Sequence, residues 1–267
     1  MPDNSKSEWN DNLTVGMLAS GSKGNSIYIS DGITSILVDA GLSGIEIERR
    51  LQRNGLNAGD IDAILVTHEH SDHIQGVGVL ARRHDIPVYI SRETSKAASG
   101  QIGAINNEIN FETGCNFVIK TLNIHPFSTS HDADDPVGFT VNKNKTKIGI
   151  ATDLGIATGM VKEHLKDSSL LILEANHDPD MLATGPYPWP LKQRIKSRTG
   201  HLSNKAAKIL LSELRHDRLK YVILAHLSET NNTTRQALST IGPALTNYKT
   251  QIEVAVQDYC GKLLNLA

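Results

Sequence analysis

The stretch THEHSDH, residues 67 to 73, places three histidines, one glutamate and one aspartate directly after the apolar residues ILV. Polar groups of this kind are costly to bury unless each finds a partner. Imidazole and carboxylate groups are good ligands for Zn²⁺, Mn²⁺ and Fe²⁺. The spacing of His68, His70, Asp72 and His73 therefore predicts a metal site at the end of a buried strand.

Further ligand-capable residues follow other strand-like runs, and the carboxyl ends of buried strands meet at one rim of a sheet. IGIAT precedes an aspartate, LILE ends in Glu174, VILA precedes a histidine, and another histidine lies in a loop before VGFTV. Together the candidate ligands are His68, His70, Asp72, His73, His131, Asp153 and His226. So many ligands exceed one tetrahedral site and suit two metal ions ~3.5–4 Å apart, bridged by a carboxylate and a water that becomes a hydroxide nucleophile.

Strand-like and helix-like segments alternate around these residues, which predicts a domain of packed β-sheets covered by helices. Strands are predicted at 13–19, 27–30, 34–41, 61–66, 86–90, 117–122, 137–141, 146–151, 169–175, 221–226 and, last, 252–256. Helices are predicted at 43–54, 73–84, 92–99, 158–166, 203–214 and 232–243. Residues 1–12 are expected to form a disordered or frayed tail, and residues 13–267 a single domain.

Composition limits the classes of function. The chain has 267 residues, 27 Lys and Arg against 29 Asp and Glu, and a formal charge of −2. This balance argues against binding nucleic acid through bulk electrostatics. The two cysteines are far apart, which indicates reduced thiols, and no apolar run approaches the ~18 residues of a membrane span. We expect a cytoplasmic protein without a membrane segment.

His68-x-His70-x-Asp72-His73 resembles the HxHxDH signature of the metallo-β-lactamase fold, and the later ligands occur in the order that this fold uses. The resemblance implies an α/β fold, a four-layer αβ/βα sandwich with two divalent metal ions, Zn²⁺ or Mn²⁺, at one edge. It implies that His68, His70 and His131 hold the first ion, that Asp72, His73 and His226 hold the second, and that Asp153 bridges them. The alternative is a set of histidines satisfied by hydrogen bonds, which we expect for His84, His125, His164 and His216.

Two further stretches resemble the ribonuclease Z-like phosphodiesterases, namely LILEANHD at 171–178 and GHLSNKAAKIL at 200–210. This resemblance implies that Glu174 orients and charges His201, and that His201 is the general acid for a poor alkoxide leaving group. Asp72 completes the implied catalytic set. The alternative for His201 is an ordinary loop residue before a helix.

SGSKGNS (20–26), EANHD (174–178), YPWPLKQRI (187–195) and GHLSN (200–204) together look like the YycJ/WalJ branch of bacterial metallo-hydrolases. That resemblance implies a phosphodiesterase acting on nucleic acid, as a 5′ to 3′ exonuclease, with DNA favoured over RNA as the partner. The intervals between the ligands are too short for the arm of tRNA-processing enzymes or the inserted domain of β-CASP nucleases.

Candidate substrate-binding residues lie in the Gly/Ser stretch 20–26 and in a second stretch, PLKQRIKSR (190–198), with a tryptophan directly before it. Cations in the second stretch could hold a nucleic-acid backbone, and a tryptophan could stack on a base. The alternative is a solvated segment whose tryptophan packs in the core, and the Gly/Ser loop could be an ordinary turn. The candidates are Ser22, Asn25, Trp189, Lys192, Arg194 and Arg198.

Two other functions remain open at this point. One is a small-molecule hydrolase of the same fold, acting on thiolesters, lactones or cyclic phosphodiesters. The other is a metal-bound nucleic-acid-binding module without catalysis. A large loss of rate on His201→Ala would favour the phosphodiesterase, whereas near-normal turnover of an ester would favour the small-molecule hydrolase.

Overall fold

The apolar runs form fourteen strands in two seven-stranded sheets, in a computed structural model that describes residues 12–266. The first sheet has the spatial order β14 (Leu264–Leu266), β1 (Leu13–Ala19), β2 (Ser26–Ser30), β3 (Ser35–Val38), β4 (Ala63–Leu65), β5 (Val88–Ser91) and β6 (Glu108–Phe111). The second has the order β13 (Gln251–Val254), β12 (Tyr221–Ala225), β11 (Leu170–Glu174), β10 (Thr146–Ala151), β9 (Val137–Lys143), β8 (Leu122–Ser128) and β7 (Phe117–Ile119).

The two sheets are mixed in the same way. Strands β14 to β3 pair antiparallel and β3 to β6 parallel, while β7 to β10 pair antiparallel and β10 to β13 parallel. Parallel neighbours need crossover connections, and these supply the helices. In each sheet the parallel strands therefore end at a common rim, where loops can gather side chains.

Helices cover the outer face of each sheet. They are α1 (Gly44–Arg53), α2 (Ser71–Ile74), α3 (Val77–His84), α4 (Arg92–Ile102), α5 (Gly159–Leu165), α6 (Pro179–Thr184), α7 (Trp189–Lys196), α8 (Asn204–Leu214) and α9 (Thr234–Ile241). One apolar cluster lies between the sheets, a second lies under α1, α3 and α4, and a third under α5, α8 and α9. The layers are thus helix, sheet, sheet, helix, which confirms the predicted sandwich. Among residues 12–266, no helix is both long and apolar enough to cross a bilayer.

Most predicted elements are confirmed, including the helices that form α1 and α8. The single strand predicted over 117–122 is wrong, because Lys120 takes a left-handed φ of 47° and the chain turns there from β7 into β8. The strand predicted as the last is followed by β14, and α6 and α7 were not predicted. The predicted tail lies outside the described residues except for Asn12. A single domain over 13–267 stays a prediction.

A buried ion pair links the two sheets at one end of the sandwich. The carboxylate of Asp31, in the β2–β3 turn, lies 2.8 Å from Lys143 Nζ on β9 and accepts a hydrogen bond from Thr121 Oγ1. The side chain of Asp31 is fully buried and that of Lys143 is 10% exposed. Burial alone would raise the pKa of Asp31, but hydrogen bonds from Lys143, Thr121 and the backbone lower this pKa to about 2.

We expect Asp31→Asn to lower the free energy of unfolding by about 3–5 kcal/mol at pH 7, because it leaves the Lys143 ammonium buried without its partner. Because the pKa of Asp31 is lower in the folded than in the unfolded chain, its ionised carboxylate stabilises the fold at pH values above the unfolded pKa of ~3.9. The difference between wild type and variant should therefore shrink as the pH falls from about 4 towards 2. Urea denaturation followed by circular dichroism, at several pH values, measures this difference in the free energy of unfolding.

Glu93→Gln is the matched control, because Glu93 pairs with Lys96 on the surface, with both side chains more than half exposed. Its effect should stay within about 0.5 kcal/mol. Equal stability of the Asp31 and Glu93 variants would contradict the role given to the buried pair.

Candidate metal centre

The candidate ligands lie where strands of both sheets end. His68 and His70 follow β4 directly, and Asp72 and His73 lie in α2. From the second sheet, Asp153 follows β10, Glu174 ends β11 and His226 follows β12, while His131 lies in the loop between β8 and β9. The two halves of the sandwich therefore contribute to one cluster.

Left-handed backbone marks three of these strand ends. Asp39, which follows β3, has a φ of 61°, Asp153 has 53° and His226 has 56°. This conformation is uncommon for residues other than glycine and costs about 1–3 kcal/mol when it is strained. It turns the chain sharply at the rim, and the buried contacts of each side chain hold it in place.

Three imidazoles converge in the first group of ligands. His70 Nδ1 lies 3.1 Å from His68 Nε2 and 3.2 Å from His131 Nε2. The other ring nitrogen of His131 faces Gly200 O at 3.2 Å, so it carries the proton and leaves Nε2 with a lone pair. One nitrogen of His70 can donate a proton to only one of the two neighbours, whereas a cation would satisfy all three.

The outward nitrogen of His68 is also held. It lies 2.9 Å from Thr67 Oγ1, and that hydroxyl donates to Asp39 Oδ2 at 2.8 Å. The hydroxyl proton is therefore committed to Asp39, and the oxygen accepts from His68 Nδ1. This arrangement fixes the tautomer of His68 with its Nε2 lone pair turned into the site.

The second group joins a carboxylate to two imidazoles. Asp72 Oδ2 lies 3.5 Å from His73 Nε2 and 3.5 Å from His226 Nε2. The outward nitrogen of His73 faces Asp39 Oδ2 at 2.7 Å, and that of His226 faces Glu174 Oε1 at 3.0 Å. Each imidazole again has an acceptor on its outer side and a nitrogen turned inward.

Asp153 lies between the two groups. Its Oδ2 is 3.2 Å from His73 Nε2, and its Oδ1 is 3.7 Å from His131 Nε2. Asp153 Oδ2 and His226 Nε2 are both buried without a hydrogen-bond partner. Such atoms are costly unless something else binds them. Together with four overlapping ligand groups whose atoms lie within 4.8 Å of one another, they fit a divalent metal ion with nitrogen and oxygen ligands.

The charges of the site also fit a bound cation. Burial opposes ionisation of Asp153, but His226 and His73 hold its pKa well below the usual range. Burial also disfavours a charge on His73, yet Asp153, Asp39 and Asp72 raise the pKa of that histidine well above its usual value. The second group thus attracts positive charge strongly. By contrast, burial lowers the pKa of His68 and keeps its imidazole neutral.

Glu174 connects the second group to His201. Its Oε1 accepts from His201 Nδ1 at 2.8 Å and from His226, while its Oε2 accepts from the backbone N–H groups of Leu154 and Leu202 at 2.7 and 3.0 Å. Burial would raise the pKa of Glu174, but the charge and hydrogen bond of His201, with the bond from His226, lower it to about 2. The carboxylate therefore stays ionised although it is fully buried.

His201 is held by Glu174 at the mouth of the site. Burial would lower its pKa, but the charge and the hydrogen bond of Glu174 raise it. Because Nδ1 is bound to Glu174, Nε2 is the nitrogen left to donate to a ligand. The geometry thus offers a protonated imidazole beside the ligand cluster, as a general acid requires.

The loop residues suggested for substrate have different positions. Asn25 lies against the ligands, with Nδ2 3.2 Å from Asp72 Oδ2 and 3.0 Å from His73 Nε2. Ser22 lines a cavity beside His201 and a second cavity beside Asp72. A contact of Asn25 with substrate stays a prediction, while its bonds to Asp72 and His73 position these two candidate ligands.

The basic segment forms α7 and the turn after it. Trp189 is 69% exposed, which excludes the alternative that it packs in the core. Arg194 Nε donates to Asp132 Oδ2 at 2.6 Å, and Lys192 Nζ donates to the carbonyl of Ala183. Arg198 is exposed and receives a bond from Ser130 only at its backbone carbonyl. Of these side chains, Arg194 lies beside the site, where it lines the cavity next to His201.

Sequence analysis missed Asp39, which bonds His73 and both the N–H and the hydroxyl of Thr67. The signal was present, since SILVD is another apolar strand that ends in a carboxylate.

Gly41 was missed too. A Cβ there would lie 1.6 Å from the carbonyl oxygen of Asp72, so only glycine lets the two backbones approach.

Asp39→Ala should weaken metal binding by about 10- to 100-fold, because His73 loses its acceptor and the Thr67 hydroxyl that orients His68 loses the bond that fixes it. Competition with a chelating dye measures this affinity directly. The number of metal ions bound at saturation should stay as in the wild type, since no candidate ligand is removed. Asp60→Ala, at an exposed position far from the site, is the control. Equal affinity of the Asp39 variant and wild type would rule out the role of Asp39.

Comparisons with known proteins agree with this geometry. The model of the Beta-lactamase superfamily domain matches residues 34–226. Exodeoxyribonuclease YycJ of Bacillus anthracis is 39% identical over 235 residues, which are 87% of this chain and 89% of that protein. Exodeoxyribonuclease WalJ of Streptococcus pneumoniae is 39% identical over 221 residues, 81% of this chain and 82% of that protein. The crystal structure of YhfI from Bacillus subtilis superposes with a TM-score of 0.75 at 17% identity, covering 96% and 99% of the chains, which bears on the fold alone.

Proposed function

The chain belongs to the beta-lactamase superfamily and, within it, to the family of its YycJ and WalJ relatives, and from this we propose that it is a metal-dependent phosphodiesterase that acts as a 5′ to 3′ exonuclease on DNA. The observation that carries the proposal is the Glu174–His201 pair beside the ligand groups. Hydrolysis of a substrate with a good leaving group does not need a proton donor at the leaving oxygen. Hydrolysis of a phosphodiester, whose leaving alkoxide is poor, does need one.

Two divalent ions, Zn²⁺ or Mn²⁺, suit the ligand groups. His68, His70 and His131 would hold one ion, Asp72, His73 and His226 the other, and Asp153 would contact both. When bound, such ions lower the pKa of a water to give a nucleophile and stabilise negative charge on the phosphate. The short contacts between ligand atoms and the unpartnered Asp153 Oδ2 support this assignment.

His201 supplies the proton that the reaction needs. A water gives up one proton to solvent and its oxygen adds to phosphorus, the bond from phosphorus to the leaving oxygen breaks, and the Nε2 proton of His201 moves to that oxygen. His201 then takes up a proton from solvent. Glu174 keeps the imidazole protonated and fixes its direction through Nδ1. Because Glu174 is itself ionised and held by two backbone N–H groups, it can compensate the charge of His201 without moving.

Local charge compensates for the overall charge of −2. Lys192, Arg194 and Arg198 lie on or next to α7, and Trp189 offers an exposed ring for stacking. Ser22 lines both the cavity beside His201 and the cavity beside Asp72. The substrate is therefore held close to the site, by a few contacts to its backbone and bases, and DNA is favoured over RNA by the names of the relatives.

The test is a nuclease assay on metal-analysed protein with Mn²⁺ or Zn²⁺. Substrates are DNA and RNA oligonucleotides, single and double stranded, with a 5′-phosphate or a 5′-hydroxyl. We expect stepwise release of mononucleotides from the 5′ end of DNA. Asp72→Ala should abolish the release, because it removes the one carboxylate of the second ligand group. Release from RNA or from the 3′ end would correct the substrate or the polarity. No cleavage with both ions bound would favour a small-molecule hydrolase instead.

His201→Ala should slow DNA hydrolysis on the order of 10²- to 10⁴-fold, as expected for loss of a general acid. A 4-nitrophenyl ester of thymidine 5′-phosphate should be much less affected, because nitrophenolate leaves without a proton. Metal content should not change. His84→Ala, which alters a surface histidine paired with Glu48, is the control. An equal loss on both substrates would show that His201 does not protonate the leaving group.

A further inference from the structure

A cavity of about 160 Å³ opens directly beside His201 and His226. One wall is α7, which contributes Leu191, Arg194 and Ile195, and Tyr187 lies just before this helix. Apolar side chains with a few polar groups are the usual lining of a ligand site. The volume suits a ring-sized group such as a nucleobase.

A backbone hydrogen bond connects the cavity wall, α7, to the loop that carries His201. The backbone N–H of His201 donates to Ile195 O at 2.9 Å, at the end of α7. Gly200, between them, is packed so tightly that a Cβ would lie 2.2 Å from Arg194 O. The distance from the cavity to His201 is therefore set by the fold, and a ligand in the cavity is held at a defined place beside the acid.

The identity of the leaving oxygen determines which part of the substrate lies in the cavity beside His201. When hydrolysis leaves a 5′-phosphate on the remaining strand, the leaving oxygen is O3′ of the nucleotide on the 5′ side. The general acid must lie within hydrogen-bond reach of that oxygen. The nucleotide on the 5′ side therefore lies on the His201 side of the cluster, where the cavity is.

The size of the cavity also indicates from which end of the strand nucleotides are removed. If an enzyme removed nucleotides from the 3′ end, the whole remaining strand would lie on the acid side and would need an open groove. A small cavity on that side instead suits the base of a single terminal nucleotide. A second cavity of about 280 Å³, which shares Ser22 with the first, lies beside Asp72 and is lined by Lys23, Ser71, Gln75 and Gln101. This polar cavity suits the retained strand and its phosphates.

We infer that the cavity at α7 binds the 5′-terminal nucleoside that is released in each turnover, with its base against the Tyr187 ring. This inference rests on the proposed exonuclease function. Arg194 lies at the same cavity with Nε already bound to Asp132, which fixes the guanidinium for a phosphate group of this nucleotide. Stacking on an aromatic ring is tolerant of base identity, so the site would accept each nucleotide in turn.

The experiment compares Tyr187→Ala and Tyr187→Phe on three oligonucleotides, with a normal 5′-terminal nucleotide, an abasic residue at the 5′ terminus, or an abasic residue at the third position. For wild type, the terminal abasic residue should lower kcat/KM for the first cleavage roughly 5- to 150-fold, the range of one base–aromatic stack. Tyr187→Ala should show the same loss on the normal substrate and no further loss on the terminal abasic one. Tyr187→Phe should behave as wild type, and the internal abasic residue should have no effect on the first cleavage.

Calorimetry with a deoxynucleoside 5′-monophosphate supplies a reading that does not depend on turnover, and binding should weaken in Tyr187→Ala alone. If wild type cleaves normal and terminally abasic DNA equally well, this inference is overturned and the exonuclease function stands. If Tyr187→Ala lowers both rates by the same factor, the residue has only a structural role and the inference is again overturned. If wild type releases no nucleotide from any substrate, the proposed function fails and this assignment fails with it.

Discussion

Buried imidazoles can act as a ligand cluster only if each outer N–H has an acceptor, and the rest of the site depends on this constraint. Asp39 and Glu174 meet it for His68, His73 and His226, one in each half of the sandwich, and the carbonyl of Gly200 meets it for His131. Asp39 follows β3 of the first sheet, bonds His73 directly and holds His68 through Thr67. Glu174 ends β11 of the second sheet and bonds His226 and His201. Asp39 thereby turns the Nε2 lone pairs of His68 and His73 into the site, whereas Glu174 turns that of His226 inward and directs the Nε2–H of His201.

The architecture explains why these two carboxylates can be buried. Each lies at the end of a strand within a parallel part of its sheet, where backbone N–H groups are available at the rim. Glu174 takes its bonds from Leu154 and Leu202, and Asp39 takes one from Thr67. Ionised oxygens saturated in this way do not need water. The fold thus supplies the solvation that the chemistry requires, and removing either carboxylate would disturb more than one ligand.

The sequence predicted the sandwich well, and the structure brings the seven candidate ligands together, because both leave repeated signals in the sequence. Apolar runs that end in ligand-capable residues recur in both halves, and His68 to His73 are too crowded to be explained singly. Asp39 left only one such signal and was overlooked. The turn at Lys120 was overlooked because an apolar run hides it and the left-handed conformation of a lysine has no sequence marker. Nor could the sequence show that α7 and the loop of His201 share a wall, since that depends on tertiary packing.

The acidic balance of the chain and a nucleic-acid substrate are compatible once the recognition is local. A protein that tracks along a duplex needs many phosphate contacts and a basic face, which a formal charge of −2 does not provide. An enzyme that takes one terminal nucleotide at a time needs only a few contacts near the scissile bond. Here Arg194 of α7 lies at a small cavity beside His201, and divalent ions held by the ligand cluster would supply positive charge for the phosphate. Charge, cavity size and the position of His201 therefore favour recognition of a strand end over recognition of a long stretch.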